Sequence, residues 1–165
     1  MTMLPSSLGN PALRSFTSKM IGLIQRALSA SVTIEGSKIA EIGAGMLVLV
    51  GFRRADREDR LDRFVERLLN YRLFPDEDGR MNLSLSNFNG ELLLVPQFTL
   101  AADTNAGNRP SFTSAAPPGD GRKLFAALQQ KVRHAWPDSA FGVFGADMQV
   151  SLINDGPVTF WLEVG

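Results

Sequence analysis

The order of elements in this chain predicts an α+β fold, a single domain of largely antiparallel sheet with two main helices packed on it. Three observations carry the prediction. Short apolar runs rich in Val and Ile recur near the start, the middle and the end, two segments repeat apolar residues at helical spacing, and Gly, Pro, Asn and Asp cluster between them. At 165 residues the chain is long enough to bury a core of its own. No internal repeat and no second domain is visible.

The first nineteen residues hold Pro5, Gly9, Asn10, Pro11 and several serines, and read as a flexible extension (1–19) ahead of a domain at 20–165, with Met20 as its functional start. Ile21, Leu23 and Ile24, then Ser31-Val32-Thr33-Ile34, are strand-like, and the turn signal Glu35-Gly36-Ser37-Lys38 predicts a hairpin into 39–42. Gly43-Ala44-Gly45 breaks the run before Met46-Leu47-Val48-Leu49-Val50, short and apolar enough for a buried strand. Between Asp56 and Asn70, Leu61, Phe64, Val65, Leu68 and Leu69 fall on one helical face, with charges of mixed sign on the other. Phe74 to Gly79 reads as a turn, because its acidic trio lacks the spaced ligands and terminal Glu of a calcium loop. A strand over 92–100 contains Pro96, which belongs at an edge or a bulge. Residues 101–119 form a long loop of the kind that often carries function. Asp120 serves as N-cap for a second helix to Ala135, stopped by Pro137. Two last strands, 148–152 and 158–164, meet at an Asn-Asp-Gly-Pro turn.

Composition removes several chemistries. Seventeen basic and seventeen acidic residues cancel, so no global field draws the protein onto nucleic acid, although one small part of a nucleic acid can still be its ligand. With no cysteine there is no disulfide, thiolate nucleophile or Cys-based zinc site. The single histidine, His134, falls on the polar face of its helix, so Ser and Thr nucleophiles lack their usual base. Nothing approaches the roughly 20 apolar residues of a membrane span or a secretory signal, and cytoplasm is the expected location. Gly43-Ala44-Gly45 lacks the third glycine and the following helix of a phosphate loop.

Two motifs remain. Gly156-Pro157 joins a residue free in φ to one that fixes φ, lacks an N–H and can hold a cis bond, so the pair can aim two carbonyls rigidly. Pro96-Gln97-Phe98-Thr99 sets an amide and a hydroxyl beside an aromatic ring. Taken singly, the first also reads as a plain tight turn and the second as an ordinary strand.

From Met20 onward the chain resembles the D-aminoacyl-tRNA deacylases. The resemblance rests on Leu23-Ile24-Gln25-Arg26, Gly79-Arg80-Met81-Asn82-Leu83, the run from Pro96 to Thr104, Arg109-Pro110-Ser111-Phe112, the run from Phe144 to Leu152, and Asn154 to Trp161. It implies barrel-like sheets and hydrolysis of the ester joining a D-amino acid to the 3′-terminal adenosine of tRNA. It also implies a homodimer without metal or organic cofactor, and no membrane or DNA partner. By carry-over, Gly156 and Pro157 form a chirality filter inserted from one subunit into the other's site, with the Gly-Pro bond cis, and Arg26 braces that turn from the partner side. Gln97, Phe98 and Thr99 are the catalytic motif, lining the pocket for the aminoacyl group and adenosine. Pro96, Phe112, Met148 and Asn154 complete the substrate-binding set.

An aminoacyl ester is already activated, so positioning and oxyanion stabilisation suffice. Backbone N–H groups around Phe98 and Thr99 are donors of the right kind, and the ribose 2′-hydroxyl can assist; a covalent Thr99 ranks second, for want of a base. A steric filter that rejects the Cβ of an L-amino acid cannot reject glycine, which extends the expected activity to glycyl-tRNA, including glycine mischarged on tRNA(Ala). The family's pentapeptide starts with serine where this chain has Pro96, a residue typical of a related class with looser chirality. The alternatives are therefore a deacylase of relaxed chirality, a non-catalytic domain gripping the tRNA 3′ end, and a structural oligomer without ligand. Arg53, Arg54 and Arg109 are candidates for contact with the tRNA body.

Overall fold

A computed structural model describes residues 19–165. Of the expected extension over residues 1–19, all but Lys19 lies outside the described residues.

The fold is built around one long strand. β1 (Met20–Ile34) pairs along one edge with β3 (Gly45–Gly51) and then β2 (Ser37–Ile42), and along the other with β8 (Gln149–Val164), all antiparallel. Beyond β3 the sheet continues in parallel with β6 (Glu91–Pro96) and β7 (Ser139–Phe141). A parallel step needs a crossover of a dozen residues or more, and α1 (Leu61–Asn70), preceded by a 3-10 turn over Glu58–Arg60, lies within it. The sheet curls until β2 lies against β6 and β7, giving a nearly closed barrel.

Alternation along the strands explains the two cores. Met46, Val48, Val50, Leu92 and Leu94 face outward, where Leu61, Phe64, Val65, Leu68 and Leu69 of α1 and Leu124, Phe125, Leu128 and Val132 of α3 (Pro118–Ala135) cover them. Leu47, Leu93 and Val95 point the other way, into the barrel with Ala27, Ala30, Val32 and Ile42. Burial on both faces is why these strands read as unbroken apolar runs.

The acidic loop is a hairpin turn between β4 (Phe74–Pro75) and β5 (Met81–Leu83). Asp76 accepts hydrogen bonds from the Arg80 and Asp78 N–H groups and from Asn82 Nδ2. The Arg80 bond above all holds its carboxyl below the usual carboxylate range. A short helix, α2 (Leu85–Phe88), follows, opened by a Ser84–Asn87 capping box. Gly45 is a packing requirement: a Cβ there would lie 1.8 Å from the Glu91 carbonyl oxygen in the adjoining strand.

Three expectations need correction. β6 ends at Pro96, and Phe98–Ala101 is a 3-10 turn, so the Gln97-Phe98-Thr99 motif sits on a turn after the strand. The second helix starts at Pro118, with Pro117 at the N-cap and Asp120 inside the first turn, because proline already has the φ of a first helical residue. The loop over 101–119 is pinned by bridges between Asp103 and Ser111 and between Arg53 and Ala115. Asn-Asp-Gly-Pro is no hairpin turn but a bulge inside the single strand β8. Gln25 pairs with Thr159 and Ala27 with Asn154, which leaves residues 155–158 opposite Arg26 alone.

Candidate functional site

Where β6 runs out, the chain opens a cavity of about 520 Å³ whose walls are mostly apolar. Pro96, Gln97 and Phe98 form one side and Phe112 another, with Phe52, Ala115, Ala116, Phe144 and Gly145 between them. Phe98 is 58% exposed and Phe112 42%, although both are large and apolar. Their rings meet at 5.3 Å between centroids, tilted by 46°. Exposed aromatics at the mouth of an apolar cavity are the residues a planar ligand would cover.

The polar groups are few and placed by the turn. Gln97 N–H donates to the Val50 carbonyl, which locks the end of β6 onto β3, and Leu100 N–H closes the 3-10 turn on the Gln97 carbonyl. Phe98 and Thr99 open that turn, so their N–H groups have no acceptor within it. The Gln97 amide donates to the Thr99 hydroxyl. Because Gln97 N–H points to β3, position 96 faces the β7 side. The last β6–β7 pair is Leu94–Phe141, so the missing N–H of Pro96 falls past the end of β7 and breaks no ladder bond. Met148 does not line the cavity; its Sδ accepts from Val143 N–H at 3.3 Å, and Met148 Sδ and Pro96 Cδ lie 2.9 and 3.2 Å from where a Cβ of Gly142 would be. His134 is exposed on α3, away from the cavity lining.

The second group assembles at the β8 bulge. The Gly156–Pro157 bond is cis, and Gly156 has φ +134°, a region that side chains rarely adopt. Arg26 Nε donates to the Asp155 carbonyl at 3.1 Å and lies 3.4 Å from its carboxylate, while Nη1 donates to the Leu73 carbonyl at 2.8 Å. Asn154 accepts from Val158 N–H at 2.9 Å and donates to the Thr159 hydroxyl at 2.8 Å. The bulge is thus tied at both ends. Arg26 does so within its own chain, because it is the residue β1 sets opposite the bulge.

The two groups do not meet within one chain. Gln97 is bonded at Val50, which pairs with Gly22, whereas the bulge lies opposite Arg26. Four residues along β1 and three strand spacings across put them on the order of 20 Å apart along the curled sheet, at roughly 3.3 Å per residue and 4.8 Å per strand, and none of residues 154–158 lines the cavity.

Sequence reading missed Phe52, Phe144 and the small residues 115–116 of the cavity, since only the fold brings them together. An apolar cavity of this size, with a few converging polar groups on the turn after a strand, has the form of a small-molecule pocket. The family model for D-Tyr-tRNA(Tyr) deacylase matches residues 23–163. A D-aminoacyl-tRNA deacylase of Cupriavidus pinatubonensis is 55% identical over 150 residues, covering 88% of this chain and 96% of the relative. One of Thioalkalivibrio sulfidiphilus is 57% identical over 145 residues, covering 88% and 97%. Among solved structures, the chain resembles one titled c-Myc DNA Unwinding Element Binding Protein, with TM-score 0.82, 36% identity, and 86% and 97% of the two chains covered. A second, titled as a probable eukaryotic D-amino acid tRNA deacylase, shares the fold at TM-score 0.76 and 18% identity, with 88% and 99% covered. The chain belongs to the D-Tyr-tRNA(Tyr) deacylase family, and as a member it is a hydrolase.

Proposed function

We propose that residues 20–165 form a homodimeric D-aminoacyl-tRNA deacylase, which hydrolyses the ester between a D-amino acid and the 3′-terminal adenosine of tRNA. The terminal adenosine occupies the apolar cavity against Phe98 and Phe112, and the ester lies at Gln97-Phe98-Thr99. The free N–H groups of Phe98 and Thr99 stabilise the oxyanion. The ribose 2′-hydroxyl orients the attacking water, so no side-chain base is needed.

The observation that carries this reading is the tethered bulge at Gly156-Pro157. Arg26 and Asn154 hold its backbone so that the carbonyls of Gly156 and Pro157 keep a fixed direction. Set against a substrate Cα, such carbonyls collide with the Cβ of an L-residue and leave a D side chain free. The separation of about 20 Å along the sheet, from strand spacings, supports a filter that serves the cavity of a second copy. Two features favour that copy. β8 has no partner on its outer edge among the described residues. Leu28 and Ile153, 54% and 57% exposed, lie on the two strands next to the bulge. No helix among the described residues is long and apolar enough to cross a membrane, and the enzyme acts in the cytoplasm on charged tRNA.

The test is hydrolysis of D-tyrosyl-, L-tyrosyl- and glycyl-tRNA by the purified protein. A filter that reads Cβ clears the D-tyrosyl and glycyl esters and spares the L-ester. Clearance of D- and L-tyrosyl-tRNA at equal rates would favour relaxed chirality. Intact glycyl-tRNA, under conditions that clear D-tyrosyl-tRNA, would remove the steric filter.

A further inference from the structure

The rim of the cavity carries charge that its walls do not. Three arginines approach this end of the molecule, and the structure separates their roles. Arg53 is committed, since its Nη2 lies 3.0 Å from Glu163 Oε1. Arg54 and Arg122 are exposed, and neither forms an ion pair among the described residues. Arg54 lines the cavity directly, its Nε donating to the Thr113 carbonyl at 3.0 Å on the segment that carries Phe112. Arg122 follows Gly121 of the cavity wall and lies over the Phe144 ring at 5.0 Å. Its Nη2 stands 3.2 Å from where a Cβ of Gly145 would be. Both guanidiniums are therefore oriented by the walls of one cavity, and neither is neutralised. Asp120, exposed in the first turn of α3, bonds to neither of them.

We infer that Arg54 and Arg122 form a cationic rim that takes the phosphates of the single-stranded RNA leading into the cavity, the nucleotides just before the terminal adenosine. The inference rests on the proposed function for the occupant of the cavity and adds how the strand enters it. An apolar cavity can hold a nucleoside but has nothing to offer the phosphodiester attached to it. A nucleoside buried between Phe98, Phe112 and Phe144 leaves its 5′ phosphate at the mouth, where Arg guanidinium matches phosphate oxygens in two-pronged geometry. With a net charge of zero, two such contacts account for selective grip on one strand end without general affinity for duplex.

The experiment measures binding of two uncharged RNA hairpins, one with a 3′-CCA overhang and one blunt, across a salt series. The unaltered protein is expected to prefer the overhang. Arg54→Gln and Arg122→Gln should each weaken overhang binding about five- to tenfold and reduce the log–log salt slope by roughly 0.7, the value for one phosphate on a single strand. Lys123→Gln, an exposed neighbour outside the cavity lining, should change neither. Equal affinity for both hairpins, unchanged binding by both arginine variants, or an equal effect of Lys123→Gln would overturn the rim. Hydrolysis is read separately: each arginine variant should lose at least fivefold more on D-tyrosyl-tRNA than on 3′-O-D-tyrosyl-adenosine, which lacks the phosphates. If the unaltered protein cleaves neither ester but shows the binding pattern, the rim stands and the deacylase reading fails.

Discussion

Replacing Gly156 by alanine is the most informative single change at the bulge. A Cβ at this position would lie 2.6 Å from Val158 Cγ2, and 3.1 Å from both Val158 N and Arg26 Nη2. Ordinary contact begins near 3.4 Å, so the Val158 pair alone must open by about 0.8 Å. Val158 is buried in the core beneath α1 and α3, and its N–H is held by Asn154, so the bulge is the part that moves. Holding a side chain at φ +134° adds about 1–3 kcal/mol. In a domain of this size that lowers Tm by about 2–12 °C, so the thermal transition of the variant is recorded first and rates are compared below it. A displacement near 1 Å at a positioning group lowers the rate by about 100-fold. Hydrolysis of D- and L-tyrosyl-tRNA under single-turnover conditions reads the effect. The D-rate should fall about 100-fold, and the D-over-L ratio should drop at least tenfold because the carbonyls no longer share one direction. An unchanged D-rate and ratio in a protein with lowered Tm would refute the reasoning, since the bulge would then have moved without consequence.

Other changes give distinct outcomes. Arg26→Met removes the donors to the Asp155 and Leu73 carbonyls; at about 1.5–3 kcal/mol per charge-assisted bond, Tm and D-over-L selectivity should fall together, and loss of either alone would contradict the tether. Gly45→Ala should abolish a cooperative thermal transition because its Cβ meets backbone at 1.8 Å, whereas Gly43→Ala, whose nearest neighbour is the end of the exposed Glu91 side chain at 3.2 Å, should leave Tm nearly unchanged. Glu163 is held below its usual range, first by the Trp161 indole N–H and then by Arg53. A depressed folded pKa contributes stability above the unfolded value of about 4.5 that disappears as pH falls below it. Glu163→Gln should therefore flatten the acid limb of the Tm–pH profile, and an unaltered limb would rule the contact out as its source.

Sequence patterning revealed some elements well and others poorly, for physical reasons. The apolar stripe of α1 is buried residue for residue, because a helix covering one core has a face that its spacing must show. The unbroken length of β1 was hidden. Gln25, Arg26 and Ser29 interrupt its apolar pattern, yet they belong to the strand: Gln25 and Ser29 pair with Thr159 and Ile153 of β8, and Arg26 bonds the bulge between them. The parallel steps from β3 to β6 and β7 leave no local signature, since pairing direction is set by a crossover and not by the strand's own residues. At the site, Gln97, Phe98 and Phe112 share one cavity, and Asn154, Gly156 and Arg26 share one bulge. Their division into two groups appears only in the sheet register.

That division is what a subunit-mixing experiment tests most directly. A Gly156→Ala chain and a Gln97→Ala/Thr99→Ala chain should each be nearly inactive alone. Unfolded and refolded together, they should form mixed dimers in which one of the two sites pairs an intact cavity with an intact bulge. With random assortment of a two-fold dimer, roughly a quarter of unaltered activity on D-tyrosyl-tRNA should return. Mixed dimers that form and stay inactive would contradict the claim that the bulge of one chain completes the cavity of the other.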